Sequence, residues 1–290
     1  MHLSRRRFLE VAAGSAAAAT WAGRGAWAQA TKPAIRLSAC DWSLQAGGPE
    51  GLETAKRVGL QGLEISTGDA AEVLAVGDPA VRARYKEMRD QTGIVVSSVA
   101  MGLLNEYPLA TDPRGPAWLE QTIAGAADLD AKVILLAFFG KGDLLKGREW
   151  NEDAVAAVVD RVKAAAPKAA EAGVVLGLEN WLSGEDNLRL LDRINHDAVR
   201  IYYDVGNSTT RGYDVPAEIR ALGDRICQIH FKDGGHYLGE GKVAMEPVAE
   251  AIAAIGYKGW VVLETAIPSG DRDADFVRNR AFSEKLLGLA

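Results

Sequence analysis

Four residues with the chemistry of metal ligands stand at or near the ends of short apolar runs in the C-terminal half of the chain. Glu179 closes "GVVLGLE", Asp204 closes "RIYYD", His230 lies in "ICQIHF", and Glu264 closes "GWVVLE". An isolated ionised carboxylate is costly to bury unless something pairs with it. Three carboxylates brought together also raise one another's pKa. A divalent cation removes both difficulties, because it balances charge and takes oxygen and imidazole ligands together. Three oxygens and one nitrogen favour Mn²⁺, Mg²⁺ or Co²⁺, whereas Zn²⁺ is admissible but prefers more nitrogen or sulfur. A salt bridge, a helix cap or a satisfied core histidine would explain any one of the four alone. Together, at equivalent positions, they define a candidate site for one divalent metal ion, with Mn²⁺ the first choice.

Such a site needs a fold in which four strand ends meet. Eight strand-like runs fall at 34–40, 62–66, 93–100, 132–139, 173–179, 200–204, 226–231 and 259–264. They alternate with eight helix-like segments near 50–58, 79–91, 115–129, 151–172, 186–195, 215–222, 246–256 and 274–289. Many helices run into Gly-containing turns such as "DQTG" and "AIGYKG", the usual way to enter a parallel strand. The count and length predict an α/β fold, a single-domain (β/α)8 TIM barrel over 31–290. A doubly wound sheet would carry a G-x-G-x-x-G turn after its first strand, and "DWSLQAGGPEG" lacks that spacing.

In this barrel type the C-terminal strand ends form the floor of the active site. Alternation along each strand puts Glu179 with Gly177, Asp204 with Tyr202, His230 with Gln228, and Glu264 with Val262 and Trp260 on the inward face. Leu178, Ile201, Val261 and Leu263 then face the helices. The same count sends Cys227 outward and leaves Cys40 two strands away, beyond disulfide reach. Both cysteines are therefore read as core residues.

The chain has 290 residues and a net charge of -6. With no basic run in its body, nucleic acid is disfavoured as a partner. Residues 1–30 stand apart: "SRRRFL", an Ala-rich apolar run and "AWAQA" resemble a twin-arginine (Tat) export signal, with cleavage after Ala28 or Ala30. A cytosolic amphipathic helix is the alternative. Removing that segment leaves 29 Lys and Arg against 38 Asp and Glu, or -9. Nothing else is long and apolar enough to span a membrane. The expectation is a periplasmic or secreted protein that is not an integral membrane protein.

The motifs "LGLEN", "YYDVGN", "QIHFKD" and "VVLE" resemble those of the xylose isomerase-like TIM barrel superfamily, which includes sugar phosphate isomerases and epimerases. The resemblance follows the whole chain after the signal in strand order and is strongest in its C-terminal half. It implies that Glu179, Asp204, His230 and Glu264 are the metal ligands, with Glu179 and Glu264 doubling as the catalytic acid/base pair. There are departures. Where epimerases carry Asp-x-x-His after the sixth strand, this chain has Asp204 and Asn207. The further histidines of the endonuclease branch are missing as well, since Val243, Ala244 and Met245 stand where its Asp-x-His would fall.

The expected chemistry starts from two adjacent oxygens of a keto-sugar on the cation, which stabilises an enediolate. Glu179 removes the proton next to the carbonyl and Glu264 returns one, giving epimerisation or isomerisation. With a leaving group β to the carbonyl, the same site becomes a lyase or dehydratase. Expected substrate-binding residues are Asn207, Lys232, His236, Glu64, Trp42 and Asn180. Lys232 either reaches the pocket rim or is a solvated loop lysine, His236 is either an extra acid/base or structural, and Glu64 either binds a hydroxyl at the mouth or sits in a salt bridge. Trp181 and Asn105 join them on the active face. The expected partners are a small sugar and the Tat export machinery, with a homodimer or homotetramer left open.

Overall fold

The computed structural model describes residues 35–289; the export-signal reading falls on residues 1–30, outside them. Eight parallel strands close into a barrel in the order β1-β8-β7-β6-β5-β4-β3-β2. They are β1 Arg36–Cys40, β2 Gly62–Ser66, β3 Val95–Met101, β4 Val133–Phe138, β5 Val175–Asn180, β6 Val199–Asp204, β7 Ile226–Phe231 and β8 Trp260–Leu263. Closure is made by β1, which pairs β2 through Ser38 and Gly62 and β8 through Arg36 and Trp260. A hairpin of Leu145–Lys146 and Glu149–Trp150 follows β4.

Nine α-helices surround the barrel among the described residues: α1 Gly51–Arg57, α2 Pro79–Thr92, α3 Gly115–Asp128, α4 Glu152–Glu171, α5 Gly184–Ile194, α6 Val205–Arg211, α7 Val215–Leu222, α8 Met245–Ala254 and α9 Arg272–Leu286. Their ends follow local chemistry. Asp78 caps α2 ahead of Pro79, and Gly93 ends it at φ 77°. Ser183 caps α5 by accepting from the Asp186 N–H. The eight expected helical segments are present, and α6 is additional. It starts directly from the last residue of β6, with no turn residues between to signal a new element.

Two apolar layers result. Outside the strands, Leu178, Ile201, Val261 and Leu263 pack against the helices as alternation requires. Inside, Ala100, Leu135, Ala137, Tyr202, Trp260 and Val262 fill the barrel. Gly62 is needed here, because a Cβ would come within 2.8 Å of the Trp260 ring.

Cys227 departs from the expected outward orientation. It packs with the inner group, and its Sγ lies 2.9 Å from where a Gly177 Cβ would stand. The cause is a register shift between Ile201 and Tyr202 opposite Ile226 and Gln228, which breaks strict alternation at Cys227. Both thiols are free, as expected. No helix among the described residues is long and apolar enough to cross a membrane.

Candidate metal centre and active site

Four consecutive strands deliver the four expected ligands. Glu179 lies in β5, Asp204 ends β6, His230 lies in β7, and Glu264 follows β8 with its N–H donating to the Phe231 carbonyl at 3.0 Å. The register sets Asp204 beside His230 and His230 beside Val262, so the side chains reach one level. One ligand atom from each of the four lies within 4.8 Å of all the others. His230 Nδ1 is 3.0 Å from Glu179 Oε1, 3.4 Å from Glu264 Oε2 and 3.8 Å from Asp204 Oδ2.

Asp204 does two things at once. Its Oδ1 caps α6, accepting from the N–H groups of Gly206 at 2.7 Å and Asn207 at 2.8 Å. Its Oδ2 is buried and has no hydrogen-bond partner. Buried carboxylate oxygens are rarely left bare. The cap holds the carboxylate rigidly, and the bare oxygen beside an imidazole and two further carboxylates suits a hard or borderline divalent cation. Gly206 allows the close approach, since a Cβ there would stand 2.7 Å from the Lys232 carbonyl.

Electrostatics describe the same centre. Burial pushes Asp204 well above the usual carboxylate range, and Glu264 beside it adds to the rise. Burial likewise raises Glu179 against the pull of His230. For Glu264 burial is outweighed by His230 and Lys232, and the net direction is down. Burial would strip the His230 proton, but Cys40, Glu179 and Glu64 outweigh it and raise the pKa well above its ordinary value. An imidazolium is one way to supply positive charge among these carboxylates; a divalent cation on Nδ1 is the other.

Of the expected substrate residues, Trp42, Lys232 and Asn207 line the central cavity, which has a volume of about 890 Å³. Lys232 Nζ is 2.9 Å from Glu264 Oε2, and Trp42 Nε1 donates to Glu264 Oε1 at 3.2 Å, so both oxygens of that carboxylate are oriented. The carboxylates of Asp204 and Glu264 overcome burial and keep the Lys232 ammonium charged.

Three expectations are corrected. Glu64 does not stand in the mouth. Strand β2 runs two residues past it, so it lies one layer down, fully buried, with Oε1 2.8 Å from His230 Nε2, which is the ion-pair alternative of the two readings. His236 does not reach the cavity; its loop carries it to a separate cleft with Thr209 and Thr210. Asn180 points away from the axis, because it follows inward Glu179. Its Nδ2 donates to Asn187 and its Oδ1 accepts from Leu182, tying the loop to α5.

On the opposite side of the cavity Trp181 and Asn105 stand as expected, and the remaining residues were missed. Phe139 meets Trp181 edge-on with ring centres 5.0 Å apart, and Tyr107, Thr67 and Asp69 complete that wall. Asn105, expected on the active face, lines it and accepts from the Phe139 N–H at 2.9 Å. Alternation through Leu135 and Ala137 points to Phe139; nothing local marks Tyr107 or Asp69.

A closed (β/α)8 barrel with four inward ligands at the C-terminal ends of its strands is an enzyme architecture whose catalytic floor is built on a metal-type cluster. Residues 52–286 match the xylose isomerase-like TIM barrel family, and the chain belongs to it. The 2-epi-5-epi-valiolone 7-phosphate 2-epimerase of Actinoplanes sp. is 24% identical over 206 residues, 69% of this chain and 73% of that protein. The L-ribulose-5-phosphate 3-epimerase of Escherichia coli is 26% identical over 235 residues, 74% of this chain and 81% of that protein. Among solved structures, an L-ribulose 3-epimerase superposes with a TM-score of 0.72 at 20% identity, covering 88% of this chain and 95% of that one. The 3-keto-D-glucoside 4-epimerase of E. coli gives 0.71 at 16%, covering 87% and 99%. At these identities the structural likenesses speak to the fold.

Proposed function

We propose that this protein is an exported, divalent-metal-dependent epimerase or isomerase acting on an unphosphorylated keto-sugar or sugar derivative. The observation that carries the reading is the bare, buried Oδ2 of Asp204 within a cluster of Glu179, His230 and Glu264 at the floor of the cavity. Both relatives are named as epimerases, of phosphorylated substrates, and the names support the reaction class. The export motif "SRRRFL" supports a periplasmic or secreted setting and an unphosphorylated substrate, because sugar phosphates are mostly cytosolic.

Bound by Glu179, Asp204, His230 and Glu264, a divalent ion such as Mn²⁺ would polarise the substrate carbonyl and lower the cost of negative charge on its oxygens. Glu179 and Glu264 come from strands on opposite sides of His230, so they address two faces of a substrate between them. One carboxylate takes the proton from the carbon beside the carbonyl, and the other returns a proton to the opposite face. Lys232 and Trp42 hold Glu264 in orientation for that step. Phe139 and Trp181 provide an apolar surface for sugar C–H faces and help exclude water.

Ketohexoses incubated with metal-loaded protein in D₂O should gain deuterium at the epimerised carbon. No exchange with any keto-sugar, while metal still binds, would rule the reading out. A second reading, β-elimination from a keto-sugar, inosose or 3-keto-glycoside, draws on the cavity. Its 890 Å³ lies near the upper end of the roughly 300–1,000 Å³ of small-molecule sites and leaves room for a leaving group. An unsaturated product or a released aglycone would select it.

A further inference from the structure

Beneath the proposed metal centre lies a dry layer of polar groups that the reaction above does not use. Glu64 Oε1 is 2.8 Å from His230 Nε2. Its other oxygen, Oε2, accepts from Ser98 Oγ at 2.5 Å and Tyr202 OH at 2.7 Å. Gln228 Nε2 donates to both of those hydroxyl oxygens, at 2.6 Å and 2.9 Å. Cys40 Sγ is 3.5 Å from both Glu64 Oε1 and His230 Nε2. Glu64, Ser98, Gln228 and His230 are all fully buried, so water cannot supply missing protons or lone pairs.

Counting donors and acceptors orients the hydroxyls and the amide, and leaves Gln228 Oε1 without a partner. Each hydroxyl has one hydrogen, and each lies within hydrogen-bond distance of Glu64 Oε2, which accepts from both. Both hydroxyl protons therefore go to Oε2. The two hydroxyl oxygens are left as acceptors, and the only donor facing both is the Gln228 amide N–H₂. A flipped amide would set its oxygen against two hydroxyls whose protons are already committed. Glu64 is thus held as an acceptor on both oxygens, and His230 Nε2 must be the nitrogen that carries a hydrogen. That leaves Nδ1 facing Glu179, Asp204 and Glu264, where a cation would take the place of its proton.

We propose that Glu64 is a positioning residue: it fixes the His230 proton on Nε2 and so makes Nδ1 the ligand atom of the metal centre. The proposal rests on the metal-site reading above. It also assigns the lower group of Cys40, Glu64 and His230, which has ligand-like spacing of its own. That group is an anchoring layer, with Nε2 blocked by its hydrogen.

The test is Mn²⁺ binding followed by the electron paramagnetic resonance signal of the free ion. Glu64→Gln should weaken binding by roughly 10–100-fold, as loss of an outer partner of a metal-bound histidine does. Tyr202→Phe removes one hydroxyl but keeps the Glu64–His230 contact, so it should stay within about threefold of wild type while lowering the melting temperature without metal as much as Glu64→Gln does. Wild-type affinity in Glu64→Gln overturns the proposal. Wild-type protein that takes up no ion overturns the metal-site reading itself, which is a separate and recognisable failure. Should Glu64→Gln fail to fold, ¹⁵N-histidine spectra of Zn²⁺-loaded wild type answer alone: a hydrogen on Nε2 supports the proposal and a metal-bound Nε2 overturns it. A thiolate-to-cobalt absorption band in the Co²⁺ form would put the ion beside Cys40 and likewise overturn it.

Discussion

Asp41 and Asp204 are both buried aspartates at the C-terminal ends of barrel strands, yet they do opposite work. Asp41, just past β1, accepts from the Ser66 N–H at 2.7 Å through Oδ2 and from the Ser66 hydroxyl at 2.6 Å through Oδ1. Both its oxygens are satisfied, so it is a latch between the turn after β1 and the end of β2. Asp204 spends one oxygen on α6 and keeps the other bare. The same division runs through the whole mouth. The β5–β8 side carries Glu179, Asp204, His230, Lys232 and Glu264, whose charges face one another across the proposed metal centre. The β1–β4 side offers mainly apolar shape from Phe139, Ala100 and Ala137, with Thr67 and the single carboxylate of Asp69. The two aspartates are equally buried, and what separates them is that hydrogen bonds leave one oxygen of Asp204 unpaired.

The sharpest way to break this contrast is to remove the proposed base. Glu179→Gln should lower solvent deuterium exchange into substrate by on the order of 10²–10⁴-fold, the usual worth of general acid/base help. Exchange at the wild-type rate would show that the charged side is not the reacting side. Next, Asp204→Asn should weaken Mn²⁺ binding by more than the roughly 100-fold upper range of an outer-layer loss, while Asp41→Asn stays near wild type. Equal effects, measured by titration calorimetry, would erase the distinction between the two aspartates.

On the apolar side the effects should be smaller and of a different kind. Phe139→Ala should raise KM about tenfold, equivalent to ~1.4 kcal/mol, with kcat retained, because the wall binds ground state and transition state alike. A fall in kcat instead would bring that wall into the chemistry. The smallest expected effect is on pH dependence. In metal-free protein, Asp204, Glu179 and His230 all have raised pKa values. The folded state then holds more protons than the unfolded chain, so stability falls as pH rises. For His230 the contribution is complete below the ordinary imidazole value and is lost as pH climbs through the raised one. Glu264, lowered, acts only in the acid range. Melting temperatures with chelator should therefore decline from mildly acidic to alkaline pH, and added Mn²⁺ should flatten the decline. An increase with pH would contradict the charge arrangement around His230.

Much of this fold and site is legible in the amino-acid sequence. Eight runs with intervening helical patterns specify the barrel, and the ends of four of them specify Glu179, Asp204, His230 and Glu264. Period-two alternation is local and survives folding, which is why the outward Leu178, Ile201 and Leu263 pack against the helices as read. It fails where strands shift register or run long. The shift at Ile201/Tyr202 turns Cys227 inward. A second shift, at Leu63/Glu64, pairs Glu64 with Ser98 and builds the layer under His230. The helix that Asp204 caps was also unreadable, because its start is the end of a strand.

By itself, then, the amino-acid order determined the barrel, the four candidate ligand residues and their shared face, since these depend on spacing along single strands. Depth and direction were decided only by the tertiary structure: that Glu64 lies beneath His230 rather than in the mouth, that the His236 loop leads away, and that Asn180 ties down a loop. Those outcomes depend on how far neighbouring strands slide past one another and where their loops pack, which no single strand encodes.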